Sequence, residues 1–544
     1  MFFGKFSASL AKISLPTAAF LLIMNQSVSY AQSVTIQANP VFSTPPPSSQ
    51  NLGPKSKPFD GPAVEYSTTS SQSGVDSSDT TPTDSVDDGS GGTSLGAVTL
   101  DKAYAKVATP TIGSVSFEGN KYTRDFVIKN VLDPIGDKQG EVLDQAWLNK
   151  EVGRINKQQK FKLKGYVTQN ESNPNEADIH FDVYERQPWQ LSLTADNQGR
   201  PGAGMYRWGT IVSNENLLGI GDKLTLSYVG SSRSTRAGAV YDLPLNTRGG
   251  KFQAKYFYHR INYDKQYTPG NDKILGQDNV LVLTLEQPLD KKRIYTPFIS
   301  TLFRQVTLDR HFSPGVGKRR IVAADPRPIA VGLKYKRPDK LGLTKMKIAG
   351  IVGQRWFGGD SQFFRLNVNA KRTFKLPKKN MLVMRGQYQY SPDAMPPVQQ
   401  IGIAGAYQVR GYTEGLIYGD RGYQFSLEHH WPIPFLSKVD PAVASRFKGV
   451  TFFDMGQAWQ DKSSGRFTSG VTNDSNRTLL MAVGGGIRYK INRFAQGFCD
   501  VAWGLGRRNE LELGGSPSVR VHFGVRSNLL PKKYAKHDGD RVDI

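Results

Sequence analysis

One cysteine, Cys499, stands in 544 residues. An internal disulfide and a cysteine-based metal cluster are both excluded. After the N-terminus no stretch reaches the roughly 18–20 consecutive apolar residues that a membrane helix needs. HExxH and GxxxxGK[ST] are missing, so neither a zinc protease nor a P-loop nucleotide site is indicated. His429 and His430 are adjacent and on a strand would face opposite sides, which argues against a shared metal site. Acidic residues number 47 against 70 basic ones, giving a formal charge of +23. Basic side chains are scattered along strand-like segments and are not interleaved with stacking aromatics. Nucleic acid is thereby disfavoured, and an anionic lipid surface or an acidic polypeptide fits better. The reading is a non-enzyme with no cofactor and no metal.

What is present begins with an address. Lys5 and Lys12 precede an apolar run over 13–24, and Ser29-Tyr30-Ala31 supplies small residues for cleavage after Ala31. Residues 1–31 read as a signal peptide of an exported protein. Residues 32–110 form a linker rich in Ser, Thr, Pro and Gly, which cannot bury enough surface to order itself. The acidic stretch 76–88 lies in that linker and reads as solvating. Within it, residues 95–107 are expected as a short helix.

From residue 111 the texture changes. Residues 112–117 alternate as a strand. Phe126, Val127, Ile128, Val131 and Leu132 make one helical stripe, and Leu143, Trp147, Leu148, Val152 and Ile155 make another. Residues 161–168 and 177–184 alternate as two strands. An α+β domain of order β-α-α-β-β over 111–187 is expected.

From 188 to 526 the helical signal disappears. Alternating segments of roughly ten residues follow with turn chemistry between them, for example 251–261, 295–306, 363–374, 381–390, 449–459 and 518–526. Aromatics recur near segment ends: Trp189, Tyr206, Trp208, Tyr256, Tyr263, Trp356, Phe357 and Trp431. This is the pattern of an all-β transmembrane outer-membrane barrel with aromatic girdles, at roughly 20 residues per strand and connection about 16 antiparallel strands. A soluble sandwich or propeller is the alternative, but no blade-length repeat is evident. Residues 527–544 remain as a C-terminal tail.

The stretch 404–459 concentrates the special chemistry. It holds Val409-Arg410-Gly411-Tyr412, then Gly419-Asp420-Arg421-Gly422 running on to Glu428, then Phe453-Asp454-Met455-Gly456. A glycine beside an arginine allows a tight turn that aims the guanidinium. An aspartate inside a strand needs a partner. An Arg410–Asp454 pair would hold a long loop against a sheet wall.

A β-α-α-β-β module followed by a barrel carrying VRGY resembles the Omp85 superfamily, and more closely the two-partner secretion transporters (TpsB) of the ShlB/FhaC/HecB haemolysin secretion and activation type. Asp196-Asn197-Gln198-Gly199 resembles the family's DNxG, and Asn216-Leu217-Leu218-Gly219-Ile220-Gly221-Asp222 its N-x-LG-x-GD turn. The resemblance implies a POTRA domain in the periplasm, a barrel in the bacterial outer membrane, and a VRGY loop folded into the lumen with Arg410 paired to Asp454. It implies a monomer placed in outer-membrane lipid by the barrel assembly machinery. It further implies a pore that secretes, and can activate, a partner exoprotein such as a haemolysin or adhesin, captured in extended form by the POTRA domain. The wider superfamily offers a barrel-insertion factor as the alternative, for which several POTRA modules are expected where one is visible here. A passive porin leaves the N-terminal module unexplained.

Overall fold

The structure, a computed structural model, describes residues 99–100, 110–158, 161–263, 273–311, 318–355, 358–415, 417–434, 441–460, 479–492, 494–505, 519–529 and 534–536. The expected signal peptide, most of the linker, Trp356 and Phe357 lie outside them.

Near the N-terminus, β1 (Thr99–Leu100) precedes β2 (Thr111–Glu118), α1 (Asp125–Gly136), α2 (Gln145–Gln158), β3 (Lys162–Gln169) and β4 (Glu176–Arg186). In α1, Ile128, Val131, Leu132 and Ile135 recur at helical spacing, and all four are buried. They meet Leu148, Val152 and Ile155 of α2 over Leu163, Val167, Ile179, Phe181 and Val183 of the sheet. Strand β4 is central, parallel to β2 and antiparallel to β3. The helix expected over 95–107 is not what Thr99 and Leu100 form. They pair in parallel with Tyr166 and Val167 on the open edge of β3. Main-chain bonds to a sheet edge outcompete an isolated helix this short. The rest of that stretch lies outside the described residues.

The barrel follows. Its wall opens with β5 (Trp189–Asp196), β6 (Arg207–Asn214), β7 (Lys223–Ser231), β8 (Ser234–Pro244), β9 (Lys251–Tyr263) and β10 (Lys273–Glu286). It continues through β11 (Tyr295–His311), β12 (Lys318–Ala324), β13 (Ile329–Asp339), β14 (Gly342–Gly353), β15 (Phe363–Lys375) and β16 (Met381–Tyr390). After two short strands, β17 (Ile401–Gly402) and β18 (Tyr418–Gly419), come β19 (Arg421–Pro432), β20 (Phe447–Trp459), β21 (Leu480–Lys490), β22 (Ala495–Gly504) and β23 (Val519–Asn528). Strands β12 and β13 pair with the two halves of β11 and count as one interrupted strand, so sixteen antiparallel strands close the ring. Strands β6, β8 and β12 escape a reading by alternation, because sequences such as RWGTIVSN carry too little contrast between faces.

Period-two alternation sorts the faces. Along β23, Val519, Val521, Phe523 and Val525 are exposed outward, while His522 between them is buried. Other strands carry such outward apolar residues, including Leu193, Leu281, Ile299, Val331, Phe364 and Val501, which suits lipid. Aromatics gather at both rims: Trp189 with the Tyr295–Tyr335 and Phe447–Tyr489 pairs at one end, and the Trp208–Tyr228 and Tyr423–Trp459 pairs at the other. Tyr263 does not belong to a girdle. It faces inward and is 1% exposed, because its odd position on β9 shares the lumen face with Lys255, Phe257 and His259. No helix among the described residues is long and apolar enough to cross a membrane.

After the last barrel strand the chain returns to the first domain. Strand β24 (Tyr534–Lys536) pairs antiparallel with Tyr184–Arg186 of β4.

Candidate functional site in the barrel lumen

Residues 391–420, between β16 and β19, turn inward. Ile401 pairs with Gly419 and Gly402 with Tyr418, forming a small hairpin inside the barrel. Its apolar face, with Ile403, Ala404, Val409, Tyr412 and Ile417, packs on Ala458, Leu480 and Ala482 of the wall. Gly411 sits at φ +97°, and a Cβ there would lie 2.7 Å from the Gly504 nitrogen. Only glycine allows that approach. Tyr412 next to it donates from its hydroxyl to the Met481 carbonyl at 3.0 Å. A Cβ on Gly456 would stand 3.2 Å from Val409 Cγ2, so glycine there keeps the wall thin where the loop rests.

Arg410 is the fastening. Its Nε and Nη2 donate to Asp454 Oδ2 and Oδ1 at 2.7 and 2.8 Å, and its backbone N–H reaches the same carboxylate at 3.2 Å. Asp454 is fully buried and also accepts from the Ser426 hydroxyl at 2.7 Å. The remaining face of the guanidinium meets Glu428 at 2.9 Å and Asp500 at 3.6 Å. Its Cζ lies 3.5 Å from the Phe452 ring centroid. Glu428 and Asp500 have cations of their own, Arg385 and Arg488. Three guanidiniums thus face three carboxylates, which keeps the buried cluster neutral.

The other half of the loop is fastened across the lumen. Arg304 pairs with Asp278 through Nε and Nη2 at 3.0 and 3.1 Å and donates from Nη1 to the Val398 carbonyl at 3.0 Å. Arg365 donates to the Gln399 carbonyl at 2.7 Å. Asp420 is fully buried and accepts from the Met395 N–H at 2.9 Å and from Gln400 at 3.2 Å, tying the start of the loop to its end. Gly419 and Gly422 flank it where a Cβ would lie 2.4 Å from the Trp459 carbonyl oxygen and 2.8 Å from that of Gln457.

The residues singled out from the sequence, Val409 to Tyr412, Asp454, Gly456, Gly419, Asp420, Gly422 and Glu428, therefore meet in one loop and its seat. Glu428, read only as part of the GDRG segment, touches Arg410 directly. Asp500, Arg385, Arg488, Arg304 and Arg365 were missed. Each is a charged residue on the lumen side of an ordinary alternating strand, and only that inward position could have marked it. The positive charge also lines the lumen. Lys255 is buried there, Lys334 pairs with Glu286 at 2.5 Å, and Lys347 lies 4.3 Å from the Phe298 ring centroid.

Two further motifs make joints. In the 216–222 turn, Asn216 donates to Thr123 Oγ1 at 2.9 Å and the Gly219 carbonyl accepts from the Arg124 N–H at 2.9 Å. Asp222, fully buried, holds the turn by accepting from Leu218 N–H and the Tyr241 hydroxyl. Glu185 braces the same place, accepting from the N–H groups of Lys121, Tyr122 and Thr123 at 2.6, 2.7 and 2.8 Å. The turn thus docks the barrel onto the first domain. Asn197 closes the seam between first and last strands, donating to the Val521 carbonyl at 2.7 Å and accepting from Phe523 N–H at 2.8 Å. Beyond these bonds β5 and β23 pair over only five residues, from Gly524↔Asp196 to Asn528↔Ser192.

Comparison with known proteins places this architecture. Residues 175–279 and 327–488 match the family model described as haemolysin secretion/activation protein ShlB/FhaC/HecB, and residues 110–186 match the POTRA model, described as surface antigen variable number repeat. The hemolysin transporter protein HpmB of Proteus mirabilis is 22% identical over 279 residues, 45% of this chain. That match spans 48% of HpmB, about half its length. Among solved structures, CdiB from Escherichia coli superposes with a TM-score of 0.59 at 16% identity, covering 77% of this chain and 76% of CdiB. CdiB from Acinetobacter baumannii gives 0.56 at 14%, covering 77% and 74%. BamA from Haemophilus ducreyi lacking POTRA domains 1–3 gives 0.58 at 15%, covering 77% and 85%. These likenesses are of fold.

Proposed function

The chain belongs to the haemolysin secretion/activation protein family (ShlB/FhaC/HecB), and from that premise we propose that it is the pore through which one secreted partner protein crosses the bacterial outer membrane. The barrel sits in that membrane with the POTRA domain in the periplasm. Its work is transport and not catalysis.

In this reading residues 1–31 direct export, and the barrel assembly machinery inserts the chain into outer-membrane lipid as a monomer. The POTRA domain takes the partner as an extended strand at a sheet edge. The partner then passes along the basic lumen, where dispersed contacts permit sliding, and folding outside supplies direction. The observation that carries this reading is the loop 391–420 in the lumen, held by Arg410 at β20 and by Arg365 on β15 and Arg304 on β11, three and six strands round the ring. A loop so fastened obstructs a sixteen-strand barrel, a size that otherwise leaves an aqueous channel.

The test is export of a candidate partner encoded beside this gene, in cells with and without the wild-type protein. Export that depends on this chain supports the reading. Export that continues without it, while other barrels fail to assemble, identifies an insertion factor instead.

A further inference from the structure

Strand β4 runs past its neighbour. Its partner β2 stops opposite Asp182, leaving one side of Tyr184–Arg186 with main-chain groups and no strand from within the domain. On the opposite side Tyr184 already pairs with Lys162 of β3. The open side is filled by the chain's own C-terminal segment, with Tyr534, Ala535 and Lys536 opposite Arg186, Glu185 and Tyr184. This three-residue strip lies at the mouth of the barrel. Arg186 reaches Glu215 of the barrel turn at 3.7 Å, and β5 begins three residues further on. Glu185 braces the docking loop from within.

We propose that the Tyr184–Arg186 strip is a strand-addition site for an extended polypeptide at the barrel entrance, and that residues 534–536 are its resident, displaceable occupant. The inference rests on the secretion reading for the identity of the incoming strand, which is the partner protein in transit. Three residues of antiparallel pairing give few hydrogen bonds, and each contributes little net stability. What keeps so weak a strand in place is tethering, which raises its local concentration. An incoming chain held at high local concentration at the barrel entrance competes for the same three residues and replaces it without breaking the domain. Recognition of this kind runs through main-chain groups, so it accepts many sequences that lack proline at the pairing positions.

Two arms test it. The probe of the first is a fluorescent synthetic peptide of residues 530–544, titrated onto the chain truncated after Leu529 and onto the full chain, both in lipid nanodiscs. An occupant in place nine-tenths of the time weakens apparent affinity about tenfold on the full chain. No saturable binding to the truncated chain, or equal affinity for both, overturns the proposal. Ala535→Pro in the full chain, which removes one N–H without shortening it, is expected to restore peptide binding as truncation does. The second arm uses Tyr184→Cys with Lys536→Cys in a Cys499→Ser background. The two positions are directly opposite, within disulfide reach. Oxidised, this variant is expected to lose partner export and to regain it on reduction. Unchanged export when oxidised overturns the placeholder role. If the wild-type chain exports no partner at all, the secretion reading fails, while the peptide titration still decides whether the site exists.

Discussion

Arg304 and Val398 are joined by one hydrogen bond of 3.0 Å, from Nη1 to the main-chain carbonyl, while the rest of the same guanidinium grips Asp278. The contact fixes the lumen loop to β11, across the barrel from Asp454. The two fastenings differ in kind. Arg410 faces carboxylates on three strands, whereas Arg304 and Arg365 hold only neutral carbonyls of the loop. All of these bonds are charge-assisted, but a bidentate pair of opposite charges holds more strongly than a single guanidinium bond to a neutral carbonyl. The Arg304 side is therefore the one that lets go first.

Replacing Arg304 and Asp278 together by leucine removes that latch without stranding a buried charge. The expected result in planar bilayers is a larger or longer-lived open conductance than wild type, with normal heat-modifiable migration on gels. Wild-type conductance in the double variant would mean that the latch does not gate the lumen.

Arg410→Ala leaves Asp454 uncompensated, while Glu428 keeps Arg385, and breaking a buried pair costs about 3–5 kcal/mol. Partner export is expected to fall more steeply than the amount of folded barrel, and Asp454→Ala should act alike. Arg410→Lys keeps the charge and loses the bidentate fork, so an intermediate effect is expected. Parallel loss of folded barrel and of export would assign the pair to assembly alone.

Glu185→Ala orphans the N–H groups of Lys121, Tyr122 and Thr123, each about 1–3 kcal/mol when buried without a partner. Because Thr123 and Arg124 carry the bonds to Asn216 and Gly219, the domain joint should loosen. Faster amide exchange at 121–124, with protection unchanged in the barrel strands, is the expected readout. Gly219→Ala attacks the same joint from the barrel side, since φ is +78° there and a Cβ would lie 2.8 Å from Arg124 Cγ.

Asp178 links the periplasmic domain to pH. Burial pulls its carboxyl up, but hydrogen bonds from the Ser114 N–H, the Ser114 hydroxyl and Asn170, with the charge of His180, leave it below its ordinary value. A carboxyl depressed on folding stabilises fully above its unfolded value, near pH ~3.9, and that contribution is lost as pH falls through the folded value. Exchange at the Ser114 amide should therefore accelerate in acid beyond the intrinsic trend, and Asp178→Asn should remove the extra pH dependence.

Much of this protein was legible because its strongest signals are local. Outward apolar residues at every second position of 519–525 report a lipid-facing strand whatever the strand touches. Of the stripe Phe126, Val127, Ile128, Val131 and Leu132, the last three report a helix packed on one face, while Phe126 stands exposed and Ile135, unread, joins the buried set. The VRGY and FDMG sequences marked Arg410 and Asp454 as partners, since an aimed guanidinium and a strand carboxylate each need one. Strands β6 and β8 were missed where lumen and lipid faces differ too little in polarity. Thr99 and Leu100 were misread as helical because the edge that pairs with them belongs to β3, more than sixty residues on.

The amino-acid sequence by itself determined the period of most strands, the two-part plan and the motif that enters the lumen, because alternation and turn chemistry act over a few residues. Tertiary structure alone decided who meets whom across the barrel. Ring closure brings Asp500 and Glu428 to Arg410, sets Arg304 under Val398, and returns residues 534–536 to the edge of β4. Those contacts depend on the register summed over sixteen strands, and no local window of the chain contains that sum.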